Sequence, residues 1–462
     1  MIKKGHILKQ SCLPAKGKLA TQLPQQQKGA DMLSENISRD HDGTLRFAGH
    51  SVTELAARYG TPLYLFDEER IRANCRMYKE AFRNHFGPGS LPLYASKAAS
   101  FKEMYRIMAD EGMGVDAVSS GEIHTALAAG FPAERIMFHG DGKTDEDIVY
   151  ALEAGVGRFV VDNPEELAIL NREALKRGMK QDVLLRITPG IDPHTYAEVN
   201  TGSVDVKFGM PILTGQAADF VRAALNCPGI GLKGYHIHVG SQVFDEDVFE
   251  RAADVMTDFI AEMRDRFGYA AEEMNFGGGY GVRYVDSDPP VDIPARIGEV
   301  AARLKSDMKK VGLASLRVFM EPGRSIVADA GMTVYTVSTV KHIPGFKNYV
   351  TTDGGMTDNP RFCLYKARYT VLHGSRETAE KDRFDLVGRC CESGDILQKN
   401  VSLPADIRRG DIVCVCTTGA YNYSMASNYN RLGRPPVVML TKEGSRIAVR
   451  RETAEDLCAL DV

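Results

Sequence analysis

The chain has 462 residues, 44% of them hydrophobic and 26% charged, with a formal charge of −4. That length suits a large barrel joined to a second domain, and that composition excludes a disordered or fibrous protein. The slight acidity argues against a nucleic-acid partner, and with no apolar run near the length of a bilayer span no membrane partner is expected either.

Taken in chain order, residues 1–45 carry several lysines, a glutamine cluster (Gln25 to Gln27) and no acid before Asp31, and they read as a disordered tail. They lack the apolar stretch of a secretory signal, and the Arg and Ser bias of an organelle-targeting peptide is missing. Residues 46–67 end in a strand-like run at 62–67, which is expected to pair into a β domain formed further along the chain. From 91 to 323 short apolar runs alternate with longer amphipathic ones, and the strand candidates are 91–96, 114–119, 135–140, 158–163, 182–189, 234–240, 273–279 and 317–323. Helix-like segments such as 120–129 and 144–154 lie between them. This predicts an α/β fold, a (β/α)8 barrel over 68–328, because eight βα units close more naturally than they form an open sheet. After residue 330 runs rich in Val, Thr and Cys at 332–340, 385–391 and 411–417 predict an antiparallel β domain of sandwich or barrel type over 329–462. The nine cysteines show no Cys-x-x-Cys spacing, so no metal site is expected, and free thiols in a reducing, cytoplasmic setting are the natural reading.

Lys97, Asp116, His139, Arg186, His238, Gly277 to Gly279 and Glu321 all fall at or near the C-terminal ends of predicted strands, where barrel enzymes place their chemistry. Lys97 follows the first strand and offers an amine able to form a Schiff base once deprotonated, although an arbitrary lysine is more often solvated surface. Gly277-Gly278-Gly279 presents backbone N–H groups unobstructed by side chains, suited to a phosphate, and equally suited to a plain turn. Glu321-Pro322-Gly323-Arg324 brings a carboxylate and a guanidinium to the mouth, either for a ligand or as an internal ion pair. His236 and His238 share one face of the sixth strand and suggest a metal pair, yet no third ligand has fitting spacing. His238 followed by Ser241 fits better as a flat ring beside a bound group, with His236 a satisfied core residue. Cys391, in Cys390-Cys391-Glu392-Ser393-Gly394-Asp395, is flanked by acids, which suits a proton donor better than an attacking thiolate.

Together the motifs Tyr94-Ala-Ser-Lys97, His238-Val-Gly-Ser-Gln242, Gly277-Gly-Gly279, Glu321-Pro-Gly-Arg324, Asp353-Gly-Gly-Met-Thr-Asp-Asn-Pro-Arg361, Cys391-Glu-Ser-Gly-Asp395 and Gly419-Ala-Tyr421 resemble, in this order, the fold-type III pyridoxal 5′-phosphate (PLP) decarboxylases. The resemblance runs from about Pro62 to the C-terminal region. Within that family the motifs are most similar to members that act on meso-2,6-diaminopimelate, releasing carbon dioxide and leaving L-lysine. It implies PLP as cofactor, Lys97 as the lysine that bonds it, His238 against its ring and Glu321 at its ring nitrogen. Asp116, Arg186, Ser241, Gly277, Gly278, Gly279, Gly323, Arg324 and Tyr421 complete the implied cofactor contacts. Arg324, Arg361, Tyr365 and Tyr421 would hold the substrate, Glu392 its distal ammonium, and Cys391 would donate the proton. In this family the last two reach the neighbouring subunit, which implies a homodimer with shared sites. A decarboxylase of ornithine, lysine or arginine type, or a silent PLP-binding homologue, is the alternative. Two places depart from the family pattern: Asp141, where Asn is commoner, and residues 196–206.

Overall fold

Side chains that alternate between two faces every second residue account for the central architecture. A computed structural model describes residues 33–191 and 205–462. The glutamine-rich segment 1–32 and residues 196–204 of the divergent stretch lie outside the described residues.

Eight parallel strands, Leu91–Ala95, Gly114–Ala117, Ile136–Phe138, Arg158–Val161, Gln181–Thr188, Ile230–His236, Glu273–Asn275 and Arg317–Met320, each pair with the next. Phe319 against Leu91 closes the ring, so the sheet is a barrel. Leu93, Met137, Val160, Leu184 and Phe319 form a buried cluster of their own, one from each of five strands. A methyl at Gly114 would lie 2.3 Å from Leu93 Cδ2, so that position is already filled from the neighbouring strand. Arg158 bonds Glu273 at 3.1 and 3.0 Å, joining the fourth strand to the seventh.

Helices follow the strands and begin where short polar side chains stop them. Ser119, Thr144 and Asn163 accept hydrogen bonds from the backbone N–H groups of Glu122, Asp147 and Glu166. Several strands end two to four residues earlier than the sequence suggests, for instance at Ala117, Phe138, Asn275 and Met320. The ladder stops where the chain turns its polar residues into the mouth.

The long strand Gly331–Ile343 organises a second sheet. It pairs antiparallel with Leu63–Asp67, Lys347–Thr352 and Ile412–Cys416. The sheet is mixed: Lys347–Thr352 runs parallel to Lys381–Val387, and Leu63–Asp67 parallel to Val437–Thr441. Both parallel pairs join strands separated by long connections, which leave room for the chain to return in the same direction. Within the stretch read as tail, Ile37–Arg39 pairs with Leu45–Phe47 in a small three-stranded sheet. The run predicted at 385–391 keeps its ladder only to Val387, and Cys390 and Cys391 lie in the following loop. Among the described residues no helix is long and apolar enough to cross a membrane.

Candidate active site

On five of the strands, continuing an interior position by two residues leads to the barrel mouth. Leu93 leads to Ala95, Gly114 to Asp116, Met137 to His139, Leu184 to Arg186, and Phe319 to Glu321, and all five endpoints line a cavity of about 560 Å³. The same wall holds Lys97, His238, Ser241, Gly278, Gly279, Gly323 and Arg324 from the barrel, with Arg361, Tyr365 and Tyr421 from the β domain. Fourteen of the residues anticipated from sequence, all of those just named except Ala95, therefore share one cavity.

Its floor is a closed set of polar contacts around Glu321. His139 Nε2 lies 3.0 Å from Oε1, His236 Nε2 lies 3.2 Å from Oε2, and Asn275 Nδ2 donates to Oε1 at 2.7 Å. The histidine rings meet edge to face with centroids 4.8 Å apart. Burial alone would raise the Glu321 carboxyl, but the two histidines outweigh it and hold it well below the ordinary carboxylate range. Burial also pulls His236 down to about 4, against the attraction of Glu321. His139, His236 and Glu321 place ligand atoms within 4.8 Å of one another, a grouping that takes in His236 but not His238. His236 Nε2 and Asn275 Nδ2 are hydrogen-bonded to Glu321, whereas His139 Nε2 only faces it at ion-pair distance.

Lys97 sits on a short turn, Ser96–Ala98, that is pinned from behind: Ser96 Oγ donates to Asp116 O at 2.8 Å and to Glu122 Oε2 at 2.6 Å. The lysine stands exposed within the cavity. Its protein surroundings would depress the ammonium, yet Asp116, Tyr421 and Glu321 together hold it above its ordinary value. Asp116 is 1% exposed, its carboxyl is raised by burial, and its Oδ1 has no hydrogen-bond partner among the described residues. His238 is kept well below its ordinary value by burial and by Lys97, so its ring is neutral. Gly278 N–H donates to its Nδ1 at 3.3 Å, which leaves the ring proton on Nε2.

The glycine run is less open than its sequence suggests. Gly277 N–H is spent on Asn275 Oδ1 at 2.9 Å and Gly278 N–H on His238, which leaves Gly279 to offer its amide to a ligand. What forbids side chains here is the backbone behind: a methyl on Gly278 would meet Glu321 O at 2.1 Å, and one on Gly279 would meet Gly240 O at 2.2 Å. The loop is held rigid by Gln242, which both donates to and accepts from Val282, and by Val243 N–H on Gly279 O at 2.8 Å.

At the rim lie two buried arginines, Arg324 and Arg361, 8% and 7% exposed. Among the described residues neither has a carboxylate within ion-pair distance. Arg324 donates to Tyr284 Oη at 2.7 Å and Ser241 Oγ at 2.9 Å, and the Nε atoms of both arginines lack partners. Each guanidinium lies 4.8 Å from the centroid of the Tyr421 ring. Burial would raise the Tyr421 phenol, but Arg324, Lys97 and Arg361 reverse this and lower it. Tyr421 N–H donates to Ala98 O at 2.6 Å, which ties the β domain to the lysine turn. A site with an amine, a buried carboxylate and two uncompensated guanidiniums can bond a carbonyl and hold anions. It fits PLP: the orphaned Nε atoms, Ser241 and the free Gly279 amide suit a phosphate or carboxylate, and Glu321 suits a protonated ring nitrogen.

Cys391 and Glu392 are exposed and do not line this cavity. The sequence also did not single out Asn275, nor Tyr284 and Phe208, whose ring lies 4.2 Å from the Arg186 guanidinium. His236 was expected to be merely a core residue. Asn275 and His236 lay open to discovery, since each ends a strand two residues before a predicted site position; Tyr284 and Phe208 carry no such signal.

The family described as "Pyridoxal-dependent decarboxylase, pyridoxal binding domain" matches residues 68–328. A diaminopimelate decarboxylase of Bacillus subtilis is 41% identical over 433 residues, 93% of this chain and 98% of that protein. A crystal structure of diaminopimelate decarboxylase from M. jannaschii in complex with L-lysine superposes with a TM-score of 0.85 at 33% identity, covering 93% of this chain and 98% of that one. The Helicobacter pylori diaminopimelate decarboxylase complexed with L-lysine gives a TM-score of 0.80 at 31% identity over 88% and 98%.

Proposed function

Since the chain belongs to the pyridoxal-dependent decarboxylases and groups there with the diaminopimelate decarboxylases, we propose that it converts meso-2,6-diaminopimelate to L-lysine and carbon dioxide. The observation that carries this reading is the pair Arg324 and Arg361, buried without carboxylate partners in the cavity that also holds Lys97 and Glu321. Diaminopimelate has an amino-acid head at each end, so its far end calls for an anion clamp that ornithine or lysine would leave unpaired at a cost in affinity.

PLP, when bound, supplies an electron sink for breaking the bond to the carboxylate. Lys97 Nζ is the amine that retains it and must first give up a proton, for which Asp116 Oδ1 is the nearby unpartnered acceptor. Glu321, kept ionised by His139 and His236, holds a proton on a ring nitrogen facing it. His238 offers a neutral flat face, and Ser241, Gly279 and Tyr421 receive a phosphate, with Gly278, Gly323 and Arg186 shaping the wall and Gly277 fixing the turn before it through Asn275. Arg361, Tyr365 and Arg324 orient the distal carboxylate. Cys391 Sγ donates the proton that replaces carbon dioxide, and Glu392 takes the distal ammonium. Both side chains are exposed outside their own chain's cavity, which supports a homodimer in which each would reach the partner's site. Residues 68–328 then hold most of the cofactor and lend Arg324 to the substrate, while 329–462, whose sheet takes in Leu63–Asp67, supply Arg361, Tyr365 and Tyr421.

The test is turnover of the PLP-loaded protein with meso-diaminopimelate, L-ornithine, L-lysine and L-arginine, following carbon dioxide and product. Lysine formation from the first alone is expected. Equal or faster release from ornithine would overturn the proposal.

A further inference from the structure

The β domain's two site-bearing loops are joined by one buried carboxylate that the proposed chemistry does not use. Asp395 is 3% exposed; its Oδ1 accepts from Met356 N–H at 2.6 Å and its Oδ2 from Cys390 N–H at 2.7 Å. Among the described residues no cation lies within ion-pair distance of it, so the two amides hold it. Two glycines make room: a methyl on Gly355 would lie 2.6 Å from Oδ2, and one on Gly388 would lie 2.3 Å from the same atom.

The joined segments are not equally anchored. Residues 353–361, which lead into Arg361, are fixed elsewhere: Asp353 accepts from Thr61 Oγ1 at 2.5 Å and Thr336 N–H at 2.9 Å, and Asp358 accepts from Tyr335 and from Gly355 N–H at 2.9 Å. The loop 389–395 has no strand to hold it. Beyond Asp395 it relies on Arg389 N–H to Gly354 O at 3.0 Å, Cys391 N–H to Asn430 Oδ1 at 2.8 Å, and Cys363 Sγ to Gly394 O at 2.9 Å. The grip on Cys390 N–H accompanies an inward Cys390, whose thiol burial and Asp395 push up to about 12, and an exposed Cys391 beside it.

We propose that Asp395 is a positioning residue: by holding Met356 and Cys390 together it fixes where Cys391 and Glu392 project relative to Arg361. This rests on the role proposed for Cys391, and the experiment separates the two. In PLP-loaded Asp395→Asn, one hydrogen-bond acceptor becomes a donor facing an N–H. The expected result is a kcat lower by about tenfold or more, KM for meso-diaminopimelate within about threefold, and alkylation of Cys391 by iodoacetamide about threefold faster or more by peptide-resolved mass spectrometry. Should this variant not fold, Gly388→Ala presses a methyl into the same carboxylate and is read the same way. Any other combination of kcat, KM and alkylation overturns the proposal. If Cys391→Ala keeps full activity, the role of Cys391 fails, and the alkylation rate alone then judges Asp395.

Discussion

The floor and the rim of the cavity solve opposite electrostatic problems. On the floor, Glu321 is matched by His139, His236 and Asn275, so its charge is settled before anything binds. At the rim, Arg324 and Arg361 are buried without counter-charges among the described residues, beside the Tyr421 face, with Arg324 bonded to neutral oxygens. Burying unpaired charge is costly, on the order of several kcal/mol per ion, so such a rim is retained for a ligand that completes it. The difference assigns the permanent partner to the floor, which is built on strands, and the transient one to the rim, which is largely built on loops.

Removing the amine that both regions surround should have the largest effect. Lys97→Ala is expected to lower activity by about 10⁴-fold or more and to abolish the visible absorbance gained on adding PLP. A retained band would contradict the assignment of Lys97. Next, Arg361→Ala tests the rim alone: kcat/KM for meso-diaminopimelate should fall by about 10²–10³-fold, the usual consequence of truncating one partner of a buried charged contact. The PLP absorbance should persist at the same cofactor concentration. If Arg361→Ala loses the cofactor along with the activity, the division between floor and rim breaks down.

How much of this could be read from sequence follows from where the information lies. The barrel strands were visible because each is a short apolar run with its own punctuation, and Lys97 and Glu321 because they end such runs. The contacts among His139, His236, Asn275 and Glu321 were not, since four separate strands contribute one residue each and only the closed ring brings them together. The glycine run was recognisable as a loop, but its purpose was misjudged in part: two of its amides are committed internally, a fact that depends on Asn275 and His238. The parallel pairings of the β domain, such as Tyr64 with Val437, join residues far apart in sequence and leave no local trace. Cys390 and Cys391 look equivalent in sequence. The structure tells them apart: Cys390 is buried with its N–H on Asp395, and Cys391 is exposed with its N–H on Asn430.

The smallest expected effect is on stability, and its sign differs between the two regions. On the floor, burial and the charges of His139 and Arg186 draw His236 down from 6.5 to about 4, against Glu321. The unfolded chain therefore binds the extra proton more readily, and stability is lost as pH falls from about 6.5 toward 4. Behind the rim, burial pushes Asp358 up from 3.8 to about 7, with Asp395 and Asp353 adding to it and the bonds from Tyr335 and Gly355 opposing. Here the folded state keeps the proton, so the contribution is complete below about 3.8 and is lost as pH rises through about 7. At 1.36 kcal/mol per pH unit of separation, the contribution amounts to at most about 3 kcal/mol for His236 and about 4 kcal/mol for Asp358. Both windows lie between about pH 4 and 7 and oppose each other there, so urea denaturation between pH 4.5 and 8.5 should find stability rising less steeply with pH in His236→Asn and more steeply in Asp358→Asn, each relative to the parent. If Asp358→Asn instead changes stability by the same amount at pH 5 and pH 8, Asp358 does not titrate in this range and the contrast in sign disappears.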